Sequence, residues 1–394
     1  MAGMKSWAKD ADVTLGMDTS MRHHDVVVWA NGEAVKTAHI PATAEGLDGM
    51  LGRLPGCRVR AVYEAGPDGF GLYRDLRVRG IECKVVAPSM VPVEPGLRKR
   101  KNNQRDARRL GLLHDQLQSV RVPPEEEEAD RQLLRTRRQL LGHQQKLQCQ
   151  IQSLLRFTGR KVSGEPGWGS DWAKKRMAFL SALDLGQPSH IEALQLLIAL
   201  IGDVMKRVLD ADRKIHRLAC APKYRSLVRL LRTVKGVGEL GALTFITEIG
   251  DPGRFRSPAE VGAYLGLVPG ENSTGEVERL GSIIQTGNHH ARRVLVQMAW
   301  IWFQHDARAQ TWVRRYLSRR WGAAGARQKA IAALARKLAI ILWAMWRDGT
   351  EYEPLAAAPL PSPRRRREEQ ATPAGRGETP ASATGQGEKT RAHR

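Results

Sequence analysis

Asp18 ends an apolar stretch, VTLGMD, and Glu64 ends another, RVRAVYE. A third acid, Asp106, sits in NNQRDARRL, just after the basic run LRKRK at 97–101. Acids at the carboxyl ends of neighbouring strands converge on the edge where open α/β sheets bind ligands. Asp106, Leu110, Leu113 and Leu117 share one helical stripe, which turns Asp106 toward a sheet rather than toward water. Carboxylates brought together repel one another unless cations neutralise them. Two Mg²⁺ ions about 3.5–4 Å apart on such a set would activate an attacking oxygen and stabilise a leaving one in phosphodiester cleavage. The plainer alternative makes Asp106 an i,i+3 or i,i+4 ion-pair partner on a solvated helix, and Asp18 and Glu64 unrelated surface acids. Around Asp106 stand Arg98, Lys99, Arg100, Lys101, Arg105, Arg108 and Arg109, cations suited to holding a polyanion.

A second set of residues lies toward the C-terminus. LRTVKGVGELGALTFITEIGD (231–251) reads as a helix, a Gly-x-Gly turn and a helix. Gly236 and Gly238, next to Lys235, permit a turn whose N–H groups face a phosphate at the following helix N-terminus. The alternative is a mere connector. Ser273 and Thr274 offer hydroxyls that could attack a phosphate, although Ser-Thr-Gly alone is an ordinary polar turn. Arg279, Arg292 and Arg293 could bind that phosphate and stabilise its charge. Asn288 is placed to cap a helix beginning at His289, so His289 and His290 read first as helix-start residues with exposed or phosphate-facing imidazoles, with proton transfer as the alternative. The His23–His24 pair lacks a third ligand nearby and reads as surface. Ile301 and the aromatic residues Trp300, Trp302 and Phe303 read as core.

Elements must position these groups. VTLGMD, DVVVW, AVKTAHI, RVRAVYE and IECKVVAP read as strands, with helices TAEGLDGMLGRL and PDGFGLYRDLRVRG between the later ones. Three successive strands followed by helix–strand alternation predict a mixed sheet flanked by helices over 10–122. Leu133, Leu140, Leu147 and Leu154 recur every seven residues, and Ile191 to Ile215 carry a second apolar helical stripe. Together they predict a long helical, coiled-coil hairpin over 125–222, with PPEEEEADRQ as a helix start. Residues 225–350 read as a mostly helical domain. From 353 to 394 the chain is poor in apolar residues and reads as a disordered tail. The fold class is thus α/β plus all-α.

The 394 residues carry a formal charge of +22, which favours a polyanionic partner, nucleic acid first. Cys57, Cys83, Cys149 and Cys220 form no CxxC pair, so no zinc module or disulfide framework is expected and a reducing cytoplasm fits. The longest apolar runs, LLIALI and LAIILWAMW, are about half the ~20 residues of a membrane span.

GMDTS, YEAGPDGFGLYRDLRVRGIECKVVAP and KNNQRDARRL resemble the RuvC-like domain, an RNase H-like fold, of insertion-sequence-110 family transposases. The resemblance assigns a D-E-D-D set to Asp18, Glu64, Asn103 and Asp106, with Asn103 standing where the family has its third acid. LRTVKGVGELGALTFITEIGD resembles a helix-hairpin-helix motif, which binds DNA backbones. LVP, STG, IIQTGN and RRVL follow the order of the family's second region, where a serine before the glycine is the proposed nucleophile. That position is Thr274, preceded by Ser273, and the sequence leaves the choice open. The resemblance implies a Mg²⁺-dependent DNA recombinase of mobile elements, guided by a structured bridge RNA. It further implies an oligomer, a dimer or tetramer, whose protomers share active sites. Other readings of the same residues are a metal-dependent junction nuclease using water, a site-specific invertase, and a binding protein without catalysis.

Overall fold

The computed structural model describes residues 11–92, 103–159, 173–271, 280–318 and 325–353. β1 (Asp12–Thr19), β2 (His23–Ala30) and β3 (Glu33–Pro41) form an antiparallel meander. Its second turn is Asn31-Gly32, both at positive φ, the pair that a tight two-residue hairpin favours. α1 (Ala44–Leu51) leads to β4 (Arg58–Glu64), and α2 (Gly71–Val78) leads to β5 (Glu82–Val86). The sheet order is β3-β2-β1-β4-β5, with β4 parallel to both β1 and β5. This is the mixed sheet that the strand pattern predicts.

Alternation along the strands divides the sheet into two faces. On one, Val13, Leu15 and Met17 join Ala61, Tyr63 and Val85 under Leu47, Met50 and Leu76 of α1 and α2. Thr14, Gly16 and Asp18 point to the other, which α3 (Asn103–Leu112) covers. α3 presses closely on β1. A Cβ at position 16 would overlap the Ala107 carbonyl oxygen, so only glycine fits there. Gly111, one turn on, packs in the same way against the Trp29 indole.

α4 (Glu125–Phe157), α5 (Ala173–Ser181) and α6 (Pro188–Ala219) follow. Glutamates at 125–128 occupy the first turn of α4, where the helix dipole favours negative charge. α4 and α6 run antiparallel. Leu134 near the start of α4 shares a core with Ile215 and Ala219 at the end of α6, whereas Leu147, Ile151 and Leu155 pack with Leu194 and Ile201. Arg137 bridges to Asp212 at 2.6 Å along the same seam. The sevenfold leucine stripe holds only in part. Leu147 is buried together with the flanking Leu134, Ile151 and Leu155, whereas Leu133 and Leu154 pack against the cores half-buried. A helix of 3.6 residues per turn drifts away from a strict sevenfold repeat. The GEPGWGSDW stretch lies outside the described residues.

α7 (Pro222–Leu231), α8 (Glu239–Ile249) and α9 (Pro258–Tyr264) precede a two-stranded antiparallel ribbon, β6 (Pro269–Glu271) and β7 (Leu280–Ile283). α10 (His289–His305), α11 (Ala307–Ser318) and α12 (Ala326–Asp348) complete the helical part. Leu334, Leu338 and Leu342 of α12 are fully buried among Leu243 of α8 and Leu295 and Trp302 of α10. Trp302 is core as expected, but Ile301 beside it is 44% exposed, because neighbouring helical residues cannot share one face. The described residues up to Tyr352 fall in one compact unit. No helix among the described residues is long and apolar enough to cross a membrane.

Candidate active site

One row of side chains crosses the sheet at the carboxyl end of β1. His39 of β3 pairs with Asp25 of β2, and Asp25 pairs with Asp18 of β1. β1 and β4 stay in step through Met17 and Tyr63, so Asp18 and Glu64 are the next residues of the two strands. Glu64 in turn pairs with Val86 of β5. Paired residues project from the same face, and neighbouring strands lie about 4.8 Å apart. Asp25, Asp18 and Glu64 therefore share the α3 side of the sheet at one end.

α3 brings two further groups. Asn103 and Asp106 lie in its first turn. The Asn103 amide donates to Asp25 Oδ2 at 3.2 Å, and His39 Nδ1 lies 2.9 Å from Asp25 Oδ1. Arg109 Nη2 approaches Asp106 Oδ1 at 3.8 Å, a loose i,i+3 pair. Arg105 is half-buried on the same helix, and Arg108 is exposed with its guanidinium 5.8 Å from the Trp29 ring centre. Lys99, Arg100 and Lys101 lie outside the described residues. The backbone brings the acids to one face and one end, but it does not draw their carboxyl groups to a point. Among the described residues, no group of three or more His, Cys, Asp or Glu side chains is arranged to hold a metal ion.

Ser273, Thr274 and Arg279 lie outside the described residues, between the strands of the β6–β7 ribbon. Beyond the ribbon, Asn288 caps α10 as its position suggests: its Oδ1 accepts from the Ala291 N–H at 3.0 Å. Its amide donates to Glu248 Oε2 at 2.7 Å. Glu248 is 1% exposed and takes two hydrogen bonds from Arg135 of α4, each 2.9 Å. Burial pushes the Glu248 carboxyl up, but the Arg135 bonds and charge outweigh it and leave the group below the usual range. Burial holds the His290 imidazole below its ordinary value, against the pull of Glu248.

Two of the residues expected to contact phosphate, Arg292 and Gly236, also have contacts within the fold. Arg292 spends Nη1 on the Gly266 and Ile284 carbonyls, at 2.8 and 2.7 Å, so it ties loops together. Gly236 has φ +92, and a Cβ there would lie 2.7 Å from the Trp302 N, so close packing on α10 explains this glycine. Gly238 caps α8 and faces open space. Arg293 and Lys235 are exposed. Of the histidine pair read as surface, His24 is buried at 7%, and only His23 is outside, stacked on His39.

A cleft of about 760 Å³ runs between the turn after β5 and the start of α10, lined by Ala87, Ser89, Arg135, Tyr264, His289 and His290. Ala87 directly follows Val86, so the cleft begins one step beyond the acid row. Asp25 and the Glu248–Arg135 pair were not among the residues singled out from sequence. Asp25 carried a signal, since a three-residue turn after Thr19 sets it opposite Asp18. Glu248 and Arg135 are 113 residues apart and carried none.

A family model described as "Transposase IS116/IS110/IS902 family" matches residues 228–314, and an IS110 DEDD model described as "Transposase" matches residues 15–159. A putative transposase of Sinorhizobium fredii, y4qE, is 31% identical, covering 89% of this chain and 93% of that one. The transposase for insertion sequence element IS1328 of Yersinia enterocolitica is 27% identical over 71% of this chain and 81% of its own. The chain belongs to the IS110 family of transposases. This IS110-family transposase is a DNA-transposing enzyme, and its first matched region holds the whole acid row with Asn103 and Asp106. A DEDD domain implies a divalent cation. The donors at this edge are carboxylates and one amide, all oxygen ligands of the kind that hard divalent cations take. The second matched region contains Glu248 and Asn288.

Proposed function

We propose that this transposase cuts and rejoins DNA strands at the ends of its element and at the target. Asp18, Glu64, Asn103 and Asp106 would hold Mg²⁺, and a hydroxyl of Ser273 or Thr274 is the nucleophile. One observation carries this reading: Asp18 and Glu64 end neighbouring strands on the face that α3 covers with Asn103 and Asp106 in its first turn. When bound, the cation supplies Lewis-acid charge to a phosphodiester oxygen. The chain's own residues do the rest. Strands hold Asp18 and Glu64 more rigidly than loops would. Arg105, Arg108 and Arg109 set positive charge beside them, and Lys99, Arg100 and Lys101 precede α3 in sequence. Arg279 and Arg293 serve phosphates near the ribbon. Lys235 and Gly238 open α8 as a helix-hairpin-helix contact to the DNA backbone.

The charge of +22 suits element and target DNA together with a structured noncoding RNA as guide, because each neutralised phosphate releases counterions. The partners include further copies of this chain, in a dimer or tetramer working in the bacterial cytoplasm on nucleoid DNA. Asp18→Ala and Glu64→Ala should each abolish strand cleavage and exchange while nucleic-acid binding survives. Denaturing the reaction should trap a phosphoprotein adduct at position 273 or 274. Normal recombination by either Ala variant contradicts the acid centre. Cleavage without an adduct points instead to attack by water.

A further inference from the structure

We propose that Asp25 is a positioning residue of the acid centre: it turns the Asn103 amide oxygen toward the cation and supplies the negative charge that Asn103 lacks. This inference rests on the reading of the centre just given. A carboxylate only accepts hydrogen bonds, so the end of the Asn103 amide that faces Asp25 Oδ2 at 3.2 Å is the NH₂ group. The amide oxygen then faces away from Asp25. Left alone, an asparagine amide rotates over a broad, two-fold torsional range and presents either end. Asp25 removes that choice.

Asp25 is itself held. Its other oxygen lies 2.9 Å from His39 Nδ1, and its side chain is 15% exposed. His39 is the cross-strand partner of Asp25 and stacks on His23 with ring centres 4.6 Å apart. The carboxylate is thus braced from β3 on one side and from α3 on the other. Its backbone partner is Asp18, in a directly opposed antiparallel pair. Two like charges in that arrangement destabilise a sheet. An amide is a neutral ligand, and a site that uses one binds a divalent cation more weakly unless a carboxylate nearby restores the field. Asp25 is that carboxylate, one strand away from Asp18 and hydrogen-bonded to the amide in question.

The test is Mn²⁺ titration calorimetry on the full chain, alongside strand cleavage of element-end DNA. Asp25→Asn should weaken Mn²⁺ binding by about 10–100-fold, the range for loss of a group that orients a ligand. Adding Asn103→Asp to that variant moves the charge back onto α3 and should recover most of the affinity and cleavage. A purely structural role for Asp25 would not be rescued in this way. Wild-type binding by Asp25→Asn, or no recovery in the double variant, overturns the inference. Should Asp25→Asn fail to fold, Asn103→Leu at an exposed position removes the amide alone. It should lose affinity comparably, and unchanged binding overturns the inference. Asp18→Ala separates the two levels. If it loses Mn²⁺ while Asp25→Asn keeps it, only this inference falls; if Asp18→Ala binds normally, the acid centre falls with it.

Discussion

Gly16 of β1 lies directly beneath the Ala107 carbonyl of α3, with no room between them for a single methyl group. That contact sets the height of the first turn of α3, and so of Asn103 and Asp106, above Asp18 two residues along the same strand face. Gly16→Ala must therefore move α3. Overpacking of this kind typically costs about 1–3 kcal/mol. The expected result is a lowered thermal midpoint together with a loss of strand cleavage larger than the unfolded fraction explains. Cleavage that only tracks the folded fraction would show that α3 height is not critical.

The Glu248 cluster predicts an asymmetry between its two partners. Arg135→Met strands a carboxylate that is 1% exposed, leaving it, among the described residues, Asn288 at 2.7 Å and Arg131 at 3.8 Å. Removing one partner of a buried pair costs about 3–5 kcal/mol. Glu248→Gln keeps an oxygen for Asn288 and leaves Arg135, 43% exposed, in reach of water. Loss of that charge-assisted bond should cost about 1.5–3 kcal/mol. Urea unfolding of both variants measures the order, and equal costs would mean that Glu248 is less isolated than its burial implies.

Histidines set an acid limit. Burial holds His24, His114 and His290 below the ordinary imidazole value. As pH falls below about 6.5, the unfolded chain binds protons that the folded chain refuses, so stability falls. The loss continues until the folded imidazoles protonate too. A thermal midpoint clearly lower at about pH 5 than at about pH 7.5 is expected, and His114→Gln should shrink the difference. A midpoint independent of pH over that window would mean that these three rings are not desolvated as described.

Much of the sheet was legible because each strand advertises itself locally. Val, Ile and Leu alternate with polar residues, and Gly, Asn or Pro close the ends. Three strands without an intervening helix favour a meander and helix–strand alternation favours parallel pairing, while the position of β4 beside β1 is set by the fold. The ends of those strands put Asp18 and Glu64 at one edge. Asn288 was legible as a cap because capping is decided within three residues. What stayed hidden was non-local or weakly marked. β6 and β7 are three and four residues long and hold glycine, too little for a periodic signal. Glu248 meets Arg135 only after α4 folds back on α8. Arg292 read as a free cation because the carbonyls that take its Nη1 come from turns at residues 266 and 284.

The proposed divalent cation would sit at the carboxyl end of β1, between the acid row and α3. Fe²⁺ bound in place of Mg²⁺, with ascorbate and peroxide, cleaves the backbone close to the metal. Scission confined to the neighbourhoods of residues 18, 25, 64 and 103–106, and suppressed by excess Mg²⁺, is the predicted map. Fragments that begin or end elsewhere, with those segments untouched, would contradict it.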